Sequence, residues 1–212
     1  MGTLLDSIVY TSRNDPATLP LRTGLRFLSI LFGAGVKART ALVRSGVLST
    51  GHAPCRIVSV GALAAGGTGK TPVAIMTARL LLRAGHRVAV VSRGYRRESS
   101  GVRVVSDFSG VLLSPREAGD EPHLIASALP GVPVVVGERR VDAAMLAYER
   151  FRPNVILLDD GFQHIRLHRD IDVVTLDSRH PFANGFLLPR GILREPREAL
   201  ARARVALFTR FD

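Results

Sequence analysis

The chain has 212 residues, with 29 lysines and arginines against 18 acidic residues and a formal charge of +11 with histidines neutral. A hydrophobic fraction of 46% excludes a disordered chain, and the lack of any repeat period excludes collagen-like and coiled-coil arrays. The single cysteine, Cys55, excludes an internal disulfide, and the size suits one α/β domain or one plus part of a second.

The basic surplus points to an anionic partner: nucleic acid, a phosphorylated metabolite or acidic lipid headgroups. An organism-wide preference for arginine that aids solubility accounts for the total equally well. Only Lys37 and Lys70 are lysines. The first sixty residues carry Arg13, Arg22, Arg26, Lys37, Arg39, Arg44 and Arg56 against Asp6 and Asp15. Within them, the apolar run Phe27–Val36 is too short to span a bilayer, which needs about 20 residues. Asp6 precedes any arginine, a poor fit to a secretory signal. Leu25–Leu48 suits a helix packed on the domain's own core, or one lying in a membrane interface, the pattern alone favouring the former.

From Arg56 the pattern changes. RIVSVG (56–61) reads as a buried strand, a glycine-rich turn follows, and Lys70–Ala84 shows helical spacing through Val73, Met76, Ala78, Leu80 and Leu81. Gly85 stops that helix, and 87–92 is the next strand. Further strands are expected at Val102–Val105, Val132–Val136, Val155–Leu158, Ile171–Leu176 and Val205–Phe208, with helices near 121–129 and 138–151. Continuous apolar strands predict a mostly parallel sheet covered by helices on both faces. Residues 94–120 and 177–198 read as functional loops.

The sharpest motif is AAGGTGKT, Ala64–Thr71, lying between strand and helix. It matches the phosphate-binding pattern G-x-x-x-x-G-K-[ST] except at Ala64. In such a turn Ala64, Ala65, Gly66, Gly67, Thr68 and Gly69 present backbone N–H groups to phosphate oxygens, and the helix start adds its positive end. Lys70 would reach the β/γ-phosphates, the Thr71 hydroxyl would bind Mg²⁺, and Pro72 fits the first helical turn. Ala65 stands where a partition-type ATPase usually has a second lysine.

Asp159 and Asp160, at the end of an apolar strand and followed by Gly161, suit the carboxylate that holds a magnesium water shell, Asp159 being the better placed. Asp120 and Glu121 precede a helix; as residues alone they suit first-turn capping, or a base near the phosphate. Among the histidines only His164 and His168 have i,i+4 spacing, without a cysteine or acid to complete a structural zinc site. No G-x-S-x-G elbow is present.

Several stretches together carry more than the turn alone: SVGALAAGGTGKTP (59–72), VSRGYRR (91–97), GDEP (119–122), VVGERR (135–140), LDDGFQHIRLHRDID (158–172) and NGFLLPRGILREP (184–196). In this order they resemble the tetraacyldisaccharide 4'-kinase family, the lipid A 4'-kinases of Gram-negative bacteria. The resemblance implies a P-loop NTPase-like α/β fold. The implied activity is ATP- and Mg²⁺-dependent phosphorylation of the 4'-hydroxyl of tetraacyldisaccharide 1-phosphate, giving lipid IVA. It implies a peripheral, monomeric protein at the cytoplasmic face of the inner membrane that binds the lipid precursor and no nucleic acid. It makes Lys70 and Asp120 catalytic, Asp120 as the base. Thr71, Glu121, Asp159 and Asp160 become magnesium-associated, and Arg93, Tyr95 and His164 line the site.

Two residues depart from the family pattern: Ala62 replaces a usual asparagine, and Arg96 a usual glycine. Members are also longer, with a second α/β domain supplying a histidine partner for the base. The expected organisation is therefore a membrane-facing segment, 1–50, and a P-loop kinase domain, 51–212, with the second domain largely absent. Alternatives are a nucleotide-binding module or pseudoenzyme without turnover, and a nucleic-acid-dependent NTPase. An aromatic content of 6% disfavours the last.

Overall fold

The computed structural model describes residues 18–210, so Asp6, Arg13 and Asp15 of the basic N-terminal stretch lie outside the described residues. The strands are β1 (Arg56–Ala62), β2 (Val88–Ser92), β3 (Arg103–Asp107), β4 (Gly110–Val111), β5 (Val134–Val136), β6 (Val155–Asp159), β7 (Ile171–Asp177) and β8 (Val205–Thr209). The helices are α1 (Leu19–Arg44), α2 (Lys70–Arg83), α3 (Pro115–Ala118), α4 (Asp120–Ala128) and α5 (Arg140–Phe151), with a 3₁₀ helix at Arg197–Arg202. The strands hydrogen-bond in the order β4-β3-β5-β2-β6-β1-β7-β8. Two compact units are built from the chain, one from Met1–Leu48, Ala62–Gly69 and Val174–Asp212, the other from Ser49–Gly61 and Lys70–Val173.

In the second unit β1, β6, β2 and β5 run parallel, and their apolar runs are buried as the continuous pattern predicts. The edge differs: β3 is antiparallel to β5 and β4 antiparallel to β3. The reason is local. Asp107 accepts hydrogen bonds from the backbone N–H and hydroxyl of Ser109, forming a tight turn that reverses the strand inside what reads as a loop, 94–120. On one face α5 contributes Ala143, Ala144 and Ala147 to a core with Ala89, Val91, Val135, Ile156 and Leu158. On α2 the buried residues are Val73, Ala74 and Ala78, while Met76 and Leu80 are exposed. The helix thus meets the core through small side chains rather than its largest ones. Gly85 ends α2 with a left-handed φ of 82°, its N–H bonding Leu82 O and that of His86 bonding Leu81 O.

The register sets up the site. β1 and β6 align from Arg56↔Val155 to Val60↔Asp159, so Asp159 lies beside the last turn-ward residues of β1. Gly61 permits this: a Cβ there would stand 2.5 Å from Phe162 Cβ and 2.8 Å from its backbone N. Asp170 pins the other end, its carboxylate accepting from Ile57 N at 2.7 Å.

In the first unit α1 runs 26 residues, beginning earlier than the Leu25 expected. By length and composition it is long and apolar enough to cross a membrane. Its buried residues are only Arg22, Ser29 and Gly33. The Ser29 hydroxyl donates to Leu187 O at 2.5 Å and accepts from Arg190 N at 3.1 Å, and a Cβ on Gly33 would strike Leu187 Cδ1. Phe27 (61% exposed), Ile30 (63% exposed), Leu28 and Leu31 face outward. Packing through small and polar residues leaves the apolar surface uncovered.

Arg96, the departure from the usual glycine, has a left-handed φ of 59°. A Cβ in that region costs about 1–2 kcal/mol, a cost that glycine would not carry. Arg96→Gly is therefore expected to be more stable than Arg96→Ala by about 1 kcal/mol, both having lost the contact with the Tyr95 ring; urea unfolding of the pair measures it.

Candidate active site

The glycine turn lies in the first unit. Gly66 and Gly69 take φ of 104° and 75°, whereas Ala64 is not among the positive-φ residues, so its alanine is conformationally ordinary. Ala64 bridges to Leu193, Ala65 N donates to Ile192 O at 2.7 Å, and Arg194 N donates to Leu63 O at 2.7 Å. Part of the loop 177–198 is thus the turn's scaffold. Thr68 shares a 3.0 Å hydroxyl contact with Thr175, and the Thr209 hydroxyl donates to Thr68 O at 3.0 Å. Residues 64–68 line a cavity of about 50 Å³ with Asp177, His180, Pro181, Ile192 and Arg210.

The second unit holds the acids. Lys70 opens α2 and its Nζ lies 3.9 Å from Asp160 Oδ1; Thr71 follows it, part-buried. Asp160 has a left-handed φ of 49°, which separates its direction from that of its neighbour. Asp159 is 1% exposed. Its Oδ2 accepts from the Ser92 hydroxyl at 3.2 Å, while Oδ1 is buried with no hydrogen-bond partner among the described residues. Burial, with Glu121 and Asp160 adding to it, pushes the Asp159 carboxyl up to about 6, against the smaller opposing pull of Ser92 and Lys70.

Asp120 and Glu121 form the exposed first turn of α4. Gly119, with φ of 89°, is the N-cap, and no side-chain cap bond forms there. Capping in this segment belongs instead to Ser114 and Glu117 of α3, a reciprocal capping box. A Cβ on Gly119 would stand 3.0 Å from Tyr95 O, so the two glycines Gly94 and Gly119 bring the 93–97 loop against the start of α4. Arg93 and Tyr95 on that loop are exposed. His164 closes the turn after the acids, its N–H on Gly161 O at 2.9 Å and its carbonyl accepting from Arg169 at 2.7 Å. His168 stacks on His52 at 4.9 Å.

Arg140, at the start of α5, was not singled out from the sequence. It is 3% exposed, with Nη1 on Gly137 O at 3.0 Å and Nε buried without a hydrogen-bond partner among the described residues. Burial lowers its guanidinium to about 10, with Arg93 and Arg97 adding to the fall and Asp160 and Asp159 opposing it. The signal was present in VVGERR (135–140), but adjacent arginines do not reveal which is turned inward.

No group of three or more His, Cys, Asp or Glu side chains is arranged to hold a metal by itself among the described residues. The donor set nonetheless suits Mg²⁺, which is bound through one hydroxyl, phosphate oxygens and waters whose outer partners are carboxylates. Thr71 and the orphaned Asp159 oxygen are such groups.

Because the folded-state value of Asp159 is raised, ionising it opposes folding. Wild-type stability should therefore fall relative to Asp159→Asn as pH rises from about 4 to about 6, on the order of 3 kcal/mol in total. Denaturant unfolding of both proteins across that range checks the sign and size.

A family model described as tetraacyldisaccharide-1-P 4'-kinase matches residues 21–211. A tetraacyldisaccharide 4'-kinase from Anaeromyxobacter sp. (strain Fw109-5) is 47% identical over 99% of this chain and 56% of its own length. That from Syntrophus aciditrophicus (strain SB) is 48% identical over 90% of this chain and 51% of its own length. A crystal structure of an apo-form LpxK from Aquifex aeolicus in complex with ATP superposes with a TM-score of 0.82 at 41% identity. It covers 89% of this chain and 59% of that one. The chain thus spans about half to three fifths of the length of these relatives.

Proposed function

The chain belongs to the tetraacyldisaccharide-1-P 4'-kinase family, and from that premise we propose that it binds ATP and transfers the γ-phosphate to the 4'-hydroxyl of a tetraacylated disaccharide 1-phosphate. The observation that carries the reading is Asp159: a carboxylate oxygen buried without a partner among the described residues, at the strand end that aligns with β1. Such an oxygen is costly unless a bound cation shell meets it.

The turn Ala64–Gly69 and Lys70 hold the phosphates, the compact ammonium fitting where a forked guanidinium would not. Mg²⁺, held by the Thr71 hydroxyl and through waters by Glu121, Asp159 and Asp160, would neutralise charge on the β- and γ-phosphates. Asp120 takes the proton of the acceptor hydroxyl as its oxygen bonds to the γ-phosphorus and ADP leaves. Arg93, Tyr95 and His164 line the acceptor side, and Arg140 adds positive potential behind Asp159 and Asp160.

Lys70→Ala is expected to weaken ATP·Mg²⁺ binding at least tenfold, a charge-assisted contact being lost, and equal binding sinks the phosphate assignment. Asp120→Asn should keep ATP binding and slow single-turnover transfer about 10²–10⁴-fold. Binding of ATP by the folded chain with no transfer to the lipid would leave only a nucleotide-binding part.

Helix α1 supports a peripheral association with an anionic membrane surface. Its exposed residues combine apolar Phe27, Leu28, Ile30 and Leu31 with basic Arg26, Lys37, Arg39 and Arg44, and one stripe is committed to Leu187 and Arg190. That commitment favours lying in the interface over spanning. Phe27→Glu/Ile30→Glu should reduce flotation with anionic liposomes about tenfold or more; flotation equal to wild type would refute the membrane-facing helix.

A further inference from the structure

We propose that Arg210 is a second cation of the phosphate site, its guanidinium contacting the phosphates of the bound nucleotide. The proposal rests on the nucleotide-binding reading above. Three observations in the first unit carry it. First, Arg210 Nη2 lies 3.0 Å from where a Cβ on Gly67 would stand, so the guanidinium covers the backbone of the glycine turn at a point that a side chain would obstruct. Secondly, the same side chain lines the small cavity formed by residues 64–68. Thirdly, the residue is held in place from both sides. Asp177 Oδ2 accepts from Nη1 at 3.0 Å, and the Ser178 hydroxyl donates to Arg210 O at 2.6 Å. Its neighbour Thr209 donates to Thr68 O at 3.0 Å, tying this end of β8 to the turn itself.

The chemistry follows from the planar fork. A guanidinium has five N–H donors, so the edge bound to Asp177 leaves further donors on the Gly67 side. An anion seated on the turn's backbone N–H groups would meet those donors without requiring Asp177 to release the arginine. Arg210 also has a left-handed φ of 61°, an uncommon conformation for a side-chain-bearing residue that the surrounding hydrogen bonds maintain. Nothing in the motif Ala64–Thr71 announces this group, because it arrives from a strand some 140 residues later, as the Thr209–Thr68 separation of 141 shows.

The test is calorimetric titration of the full chain with ATP·Mg²⁺ and, separately, inorganic tripolyphosphate·Mg²⁺, in wild type, Arg210→Ala, Arg210→Lys and Lys70→Ala. Arg210→Ala should weaken both ligands roughly tenfold to a hundredfold, the range for a lost charge-assisted hydrogen bond, and Arg210→Lys should recover part of it. Should the alanine variant fail to fold, Arg210→Gly, which the left-handed backbone accommodates, takes its place with the same expectation. Unchanged affinity in the arginine variants, with binding lost in Lys70→Ala, overturns this proposal and leaves the nucleotide site standing. Loss confined to ATP, with tripolyphosphate unaffected, also overturns it, since the contact would then be to the nucleoside. A wild-type chain that binds neither ligand removes the nucleotide reading and this proposal with it.

Discussion

Ionising a carboxylate at the inner end of a parallel strand costs solvation free energy that the strand itself cannot return. Asp159 is in that position, with one oxygen on Ser92 and the other unpartnered, and with Asp160 and Glu121 adding like charge. The features around it make sense as responses to that constraint. Lys70 brings its ammonium to 3.9 Å from Asp160, beside the buried carboxylate. Arg140 is buried behind the acids and lowered by its own desolvation, which the acids' field partly offsets. Asp159 is thus only partly compensated among the described residues.

The glycine turn poses a different problem, that of holding an irregular backbone still. Two of its N–H groups go to that end, Ala65 N on Ile192 O and Thr68 N on Gly66 O. Its own sequence supplies the left-handed positions at Gly66 and Gly69. Its rigidity comes from elsewhere: Ile192, Leu193 and Arg194 on one side, and Thr175 and Thr209 on the other. These partners lie more than a hundred residues further along the chain, so a motif-length view of the site omits much of its support.

Several residues within the recognisable stretches turn out to be scaffold. In 158–172 it is Asp160 that pairs with Lys70. Phe162 is the wall that Gly61 passes, Asp170 pins β1, and Arg169 pairs with Asp172 at 2.8 Å. In GDEP the glycine is a close-approach position that seats the 93–97 loop, as much as it is a lead-in to Asp120. The same physics explains Arg96, where a residue is present at a φ that favours glycine.

Periodicity and glycine chemistry were sufficient to place the parallel strands, the turn, α2 with its Gly85 stop, and the acids at a strand end. Each depends on interactions within a few residues, which the order of amino acids encodes directly. The strand expected at Val102–Val105 is present as β3. Its antiparallel direction and the two-residue β4 were not legible, because strand direction and so short a partner depend on pairing rather than on local pattern. The outward-facing apolar side of α1 was undecided for a similar reason: amphipathic spacing allows either face to be buried. Contacts of Ser29 and Gly33 with Leu187 chose the small, polar one. Burial of Arg140, the orphaned oxygen of Asp159 and the approach of Arg210 to the turn belonged to tertiary structure alone. Desolvation and proximity depend on neighbours distant in sequence, and composition and spacing carry no record of which groups those will be.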